Sequence, residues 1–248
     1  LVQLQASQAT ELLRRDEDPG ATVFFQTDYQ RQDSTLGLTT TTPRQQLSGS
    51  TGVVDVPVSW SHQSFHHPSS VSRDTVLVSA SRLQPMMDLY STIRNPDDHF
   101  IRWQYVVLAN GLSATYPGHG HYPNDFDPRE RPWYQEQEHL PRFRWYRPHV
   151  DTTTGSLVIN GTMPLFDEDG EFLGITGIDI DLYASFSALK LPDYLRGDSA
   201  GPIDGEFITG GLPTWDDKGW YILPNALNEK VLRNLGEFQS RFDAALED

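Results

Sequence analysis

At 248 residues the chain is long enough for one large domain or two small ones, and it buries a core easily. Its apolar content of 37% excludes a disordered tail. Its net charge of −15 repels nucleic acid and anionic membrane surfaces, while leaving room for a local basic pocket.

With no cysteine, the chain has no disulfides, thiolate metal sites or cysteine nucleophiles. No apolar run approaches the roughly 18 residues that a membrane span needs. The sequence opens at Leu1 with no methionine and no signal peptide, so it reads as a piece of a longer protein.

Residues 1–20 are read as an N-terminal helix with its stop. Val2, Gln5, Ala9 and Leu12 recur at heptad-like spacing, Leu4 and Leu13 flank them, and Asp18-Pro19-Gly20 ends the run. At the other end, 229–248 is read as a second helix, with Val231, Leu235, Phe238, Phe242 and Ala245 at a 3.5-residue period. Either both seams continue into membrane-spanning helices, or both pack on the domain.

Between them, 21–185 is one domain. In its first part Thr39-Thr40-Thr41-Thr42-Pro43 is an exposed connection, and Val53–Trp60 a strand. A helix is expected over Ser81–Arg94, with Leu83, Met86, Met87, Tyr90 and Ile93 on one face and Asn95-Pro96-Asp97-Asp98 as its stop.

A hairpin follows. Ile101, Trp103, Tyr105 and Val107 alternate with Arg102 and Gln104, Asn110-Gly111 turns the chain, and Leu112–Tyr116 returns to a Pro117-Gly118 break. A short helix is expected after Pro132, with Trp133 and Tyr134 toward the sheet. Three strands complete the domain: Arg144–Val150, Ser156–Leu165 and Glu171–Leu182, joined by turns at Asp151–Gly155 and Asp167–Gly170.

The fold class is therefore α+β, a PAS-like plan with a central antiparallel sheet of about five strands, a long N-terminal helix and a small second subdomain. Residues 186–228 are read either as that subdomain, with Gly205–Thr209 and Trp220–Leu223 as short strands, or as irregular cover for the first domain.

In the last strand, alternation puts Ile178, Ile180 and Leu182 on one face and Leu173, Ile175, Asp179 and Asp181 on the other. A carboxylate on an apolar inward face needs a cation or several donors. Asp179 is taken as the inward one and Asp181 as nearer solvent. Arg131 offers a fork of donors for a carboxylate, and Trp133 an apolar or cation-binding wall. Together they describe a pocket for a zwitterion; alternatively Arg131 pairs with Asp179 or caps a loop.

The run Asp127-Pro128-Arg129-Glu130-Arg131-Pro132-Trp133-Tyr134, the Pro148–Gly155 turn and the Gly174–Leu182 strand resemble Cache domains, specifically the double-Cache type. These are extracytoplasmic sensor modules of bacterial chemoreceptors, histidine kinases and cyclases. Trp103–Gly118 also resembles the Cache region of calcium-channel α2δ subunits. The resemblance covers roughly 75–185.

It implies a ligand set of Tyr116, Phe126, Arg131, Trp133, His149, Asp151 and Asp179. In the amino-acid-binding subset an arginine and a tryptophan hold the carboxylate, here Arg131 and Trp133. Tyrosines and an aspartate, here Asp179, hold the ammonium. Phe126 and His149 replace tyrosines of that subset, which alters the wall that selects the ligand and leaves open a different amine, a carboxylate, or a pocket with no remaining ligand.

The implied partners are a small molecule, a membrane reached through flanking helices, and a second copy in a homodimer; no cofactor is expected. The implied location is periplasmic or extracellular.

Two rival readings use other residues. Gly118-His119-Gly120-His121, with Asp125 and Asp127, offers nitrogen and oxygen metal ligands, and His62, His66 and His67 form a second histidine group. An α2δ-like extracellular scaffold would keep the fold without a small-molecule signal. No nucleophile elbow, phosphate loop or zinc-hydrolase motif appears, so the stretch is not read as an enzyme.

Overall fold

A computed structural model describes residues 1–15, 18–40, 56–93, 100–123, 125–138, 140–181, 214–215 and 221–222. The chain divides into two compact units. The first comprises Leu1–Thr42 and Val54–Lys190.

It opens with α1 (Val2–Leu13), whose Val2, Gln5, Ala6, Ala9 and Leu12 are buried while Leu4 is exposed. A short α2 (Gln26–Gln30) is started by the Asp28 carboxylate, which accepts the Phe25 N–H at 2.8 Å. Next come β1 (Thr39–Thr40), β2 (Pro57–Ser59), β3 (Ser64–His66), α3 (Arg73–Leu83) and α4 (Met86–Ile93). The hairpin strands β4 (Ile101–Leu108) and β5 (Ser113–Tyr116) lead to β6 (Gly118–His119) and α5 (Pro132–Glu138). The unit closes with β7 (Arg144–Trp145), β8 (His149–Val150), β9 (Leu157–Phe166) and β10 (Phe172–Asp181).

The main antiparallel sheet runs β3-β5-β4-β10-β9-β7, with β8 also on β9. A smaller sheet runs β1-β2-β6. Strands β4 and β10, at the centre, are buried on both faces. On one face, Ala6, Ala9 and Leu12 of α1, Val76 and Leu83 of α3, and Met86 and Tyr90 of α4 pack against Val106, Leu108, Ala114 and Leu165. On the other, Trp103, Tyr105, Val107 and Ile175 pack against Val56, Val58 and Tyr134.

In the second unit (Pro43–Val53 and Leu191–Asp248), the described residues form one antiparallel pair, β11 (Thr214–Trp215) with β12 (Tyr221–Ile222). The expected helix at 229–248, the strand at Gly205–Thr209 and the stop at Asn95–Asp98 lie outside the described residues.

Several expectations are corrected. The helix expected over Ser81–Arg94 is two helices, the first beginning at Arg73. Pro85 has no N–H to continue the ladder and its ring would meet the carbonyl four residues back, so the turn closes at Gln84, whose N–H reaches the Ser81 carbonyl at 3.3 Å. Thr39 and Thr40 are not a bare connection but pair with Val58 and Pro57. The strand expected at Val53–Trp60 is confined to Pro57–Ser59 among the described residues.

Arg144–Val150 is likewise two short strands on one edge of β9, interrupted where Pro148 cannot donate to a ladder. Leu173 packs with the helix-side core instead of sharing a face with Ile175. The cause is a bulge between Phe172 and Gly174, where the backbone of β10 comes so close to β4 that a Cβ on Gly174 would lie 2.2 Å from the Val107 carbonyl oxygen.

Candidate functional site: a buried cavity between the sheet and α5

Strand register builds the floor of the site. Asp179 of β10 lies opposite Trp103 of β4 and opposite Asn160 of β9, so three polar or aromatic side chains stand in one row across the sheet. The next row is Tyr105, Gly177 and Thr162. A Cβ on Gly177 would come within 2.7 Å of the Tyr105 hydroxyl, so glycine there is what lets Tyr105 lean over the floor.

The roof comes from the loop before α5. The Asp127 carboxylate accepts the Arg129 N–H at 3.0 Å and takes the Arg129 guanidinium at Nε (2.9 Å) and Nη2 (2.7 Å), while Nη1 reaches the Ala109 carbonyl at 3.0 Å. The paired guanidinium holds the Asp127 carboxyl below the usual carboxylate range. This clamp fixes a turn at Pro128–Glu130 and delivers Arg131 and Trp133 to the start of α5. Gln137, fully buried, secures the far end by accepting the Thr162 hydroxyl at 2.9 Å and donating to the Leu140 and Arg142 carbonyls.

The cavity is half-open and small, about 60 Å³. Since roughly 10–15 Å³ on this measure admits one water, it suits a molecule of a few heavy atoms. Phe126, Arg131, Trp133, His149, Asp151 and Asp179 all line it. Tyr116 does not. It pairs with Gln104 on the helix-side face, stacks on Tyr90 at 5.7 Å and donates to the Trp60 carbonyl at 3.1 Å. Alternation along β5 gives the cavity Thr115 and Ser113 instead.

Asp181 is also misplaced by the sequence reading. It is 3% exposed and ion-paired with Arg102, rather than near solvent. The register of β10 against β4 shifts between Asp179 and Ile180, which separates the environments of the two aspartates.

The two carboxylates in the cavity are held differently. Asp151 accepts the Trp103 indole N–H (3.0 Å), the Thr154 N–H (2.9 Å) and hydroxyl, and the Thr153 N–H (3.2 Å). Asp179 has neutral partners, the Asn160 amide and the Tyr105 hydroxyl. Burial, and then the charge of Asp151, push the Asp179 carboxyl well above the ordinary range. No ion pair joins Arg131 to Asp179; the Arg131 guanidinium lies 5.7 Å from the centre of the Phe126 ring and makes no ion pair among the described residues.

Aromatic groups form the walls. The Trp133 ring stands 5.6 Å from Tyr105, and Tyr122 stacks 5.8 Å from Phe126. Burial depresses the pKa of His149 and drives that of His119 down to about 3, so both are neutral at ordinary pH.

His119 is wedged between Trp103 (4.5 Å) and Tyr122 (4.4 Å), and its Nδ1 accepts the His121 N–H at 3.2 Å. His66 faces the Gln26 side chain at 2.6 Å and the Phe126 carbonyl at 2.8 Å. Among the described residues no three His, Cys, Asp or Glu side chains are grouped to hold a metal ion.

Trp103, Tyr105, Tyr122 and Asn160 line the cavity without having been singled out. The first two were legible in principle, because the hairpin alternation places them on one face with Val107. Asn160 required the β9–β10 register.

Residues 101–184 match the family model described as methyl-accepting chemotaxis protein-like, first PDC sensor domain. Over this segment the chain is similar to sensor domains of the Cache type. Among solved structures, part of the chain is similar to the ligand-binding domain of Pseudomonas fluorescens chemoreceptor CtaA. The complex with L-valine is 28% identical over 36% of this chain and 40% of that one, with a TM-score of 0.33. The complex with L-isoleucine is 26% identical over 47% and 44%, with a TM-score of 0.36. The ligand-binding domain of the Pseudomonas aeruginosa PAO1 amino-acid chemoreceptor PctC with GABA is 26% identical over 36% and 43%, with a TM-score of 0.34. Each match spans less than half the length of the solved chain. No curated protein matches the sequence.

Proposed function

We propose that the chain is the extracytoplasmic sensing module of a transmembrane signalling receptor, a chemoreceptor, histidine kinase or cyclase, and that its cavity takes a small amino acid, amine or carboxylate. The Cache-type segment at 101–184 supports the sensor role. The observation that carries the ligand class is one cavity lined by a guanidinium and a buried carboxylate that do not pair with each other. Among the described residues neither has an ion-pair partner, and a bound ion of the opposite sign supplies one.

Membrane tethering through flanking helices and a homodimer belong to the same reading. No helix among the described residues is long and apolar enough to cross a membrane, so the tether would come from sequence outside them. Membrane spans on both sides of this stretch in the full gene, followed by an output domain, are the expected arrangement.

A thermal-shift panel of amino acids, amines and organic acids tests the ligand. At about 100 times its dissociation constant a ligand stabilises by about 2.7 kcal/mol, which for a chain of this size is about 5–10 °C. Arg131→Ala abolishes the shift for carboxylates. A panel without a single shift overturns the reading.

A further inference from the structure

On the cavity floor, Asn160 carries a buried polar atom that has no hydrogen-bond partner among the described residues. It is 1% exposed and lies directly across from Asp179. Its Nδ2 gives hydrogen bonds to the Tyr105 hydroxyl at 3.0 Å and to Asp179 Oδ1. That leaves Asn160 Oδ1 as a buried acceptor which no donor among the described residues reaches, in a residue that lines the cavity. A buried acceptor without a donor is costly, and the cost is removed by an occupant that brings an N–H.

Asp151 does not compete for that occupant, since four protein donors already converge on it. The acceptors open to a ligand are therefore concentrated on Asp179 and Asn160, which are neighbours across two strands.

We propose that Asn160 is a specificity residue of this cavity. Its Oδ1 accepts one N–H of a primary ammonium group whose charge Asp179 balances, so the site takes primary amines and rejects their N-methylated counterparts. The proposal rests on the small-molecule reading above and narrows its ligand class.

A primary ammonium carries three N–H donors, enough for both acceptors. Each methyl group removes one donor and adds bulk in a cavity of about 60 Å³, and a quaternary ammonium leaves Asn160 Oδ1 without a donor again. The walls of Trp103, Tyr105 and Trp133 would by themselves produce the opposite order, because aromatic faces hold methylated cations well. The order of affinities therefore reports which feature governs the site.

The experiment is calorimetric titration of the chain with three pairs: glycine and sarcosine, L-alanine and N-methyl-L-alanine, ethylamine and trimethylamine. In at least one pair the primary member binds, and its methylated partner binds about tenfold or more weakly. Asn160→Ala narrows that gap by weakening the primary member alone. The wild-type ratio stands even if the variant fails to fold.

Equal or tighter binding of the methylated members overturns the proposal and leaves the sensor reading in place. So does binding of only a carboxylate from the wider panel, with none of the six compounds bound. Absence of binding by the whole panel overturns both.

Discussion

Asp179 is a carboxylate kept at a thermodynamic disadvantage, and its replacement by asparagine should make the empty protein more stable. In the unfolded chain Asp179 loses its proton near its ordinary pKa of about 3.9. In the fold, burial and the neighbouring charge of Asp151 hold that proton to a higher pH. Between those two points the folded state binds more protons than the unfolded state, so stability falls as pH rises, by up to about 1.4 kcal/mol per pH unit. Below the lower point both states are protonated and this contribution vanishes.

Asp179→Asn has no such slope, and its amide oxygen still accepts the Asn160 N–H that Asp179 Oδ1 accepts. At about 2–4 °C per kcal/mol for this size, the melting temperature of the variant should rise above that of the wild type by up to about 3–5 °C per pH unit from about pH 4 upward. Differential scanning fluorimetry of both proteins in a series of buffers reads this gap. An amine ligand should reverse the order, because it stabilises ionised Asp179 and has little to gain from the amide. A gap that stays constant from about pH 4 to about pH 7, or a variant less stable than wild type at the upper end, refutes the assignment of Asp179 as the strained group.

Arg102→Met removes the cation beside Asp181, whose side chain is 4% exposed, and should destabilise by about 3 kcal/mol, read as a lower midpoint in urea. An unchanged midpoint would mean that this pair is as dispensable as a surface one. Gly177→Ala places a Cβ 2.7 Å from the Tyr105 hydroxyl and 2.9 Å from Thr162 Cγ2. Overpacking of that kind costs about 1–3 kcal/mol, and it should abolish ligand-induced thermal shifts while the circular dichroism spectrum is retained. Retention of the shifts would show that Tyr105 does not position the floor.

How much of this was legible in the sequence depends on which residues are asked about. The hairpin signal, alternation around Asn110-Gly111, correctly put Trp103, Tyr105 and Val107 on one face, and Pro132 correctly marked the start of a short helix that packs Trp133 and Tyr134 against them. Tyr116 shows the limit. Alternation fixes parity only after the turn has set the register, and the pairing of Val107 with Ser113 gives Thr115 to the cavity and Tyr116 to the opposite core.

Leu173 was out of reach, because the bulge that turns it over depends on Gly174 closing on the backbone of Val107, a contact between residues 67 apart in sequence. Pro85 was visible, yet Leu83, Met86 and Tyr90 keep helical spacing across it and pack in one core, so periodicity alone hid the break. Asn160 carried no local signal at all. Its role comes from lying opposite Asp179.

The seam of α1 has a further consequence. Gln5, a polar residue among apolar neighbours, is fully buried; its Nε2 donates to Gln104 Oε1 at 2.8 Å, and its Oε1 accepts the Thr176 hydroxyl at 3.4 Å. The seam is thus used up against the sheet rather than left for a partner helix, and α1 packs on β9 and β10. Those two strands carry Asn160 and Asp179 on their opposite face. In a strand, neighbouring side chains project to opposite faces of one stiff backbone, so Thr176 under α1 and Asp179 in the cavity cannot shift independently. Whatever repositions Asp179, whether a proton or an ammonium group, acts on the strand that α1 grips. A ligand biases α1 only through a difference in its contacts between two positions of β10, and Asp179, the carboxylate of that strand that lines the cavity, is where such a difference arises.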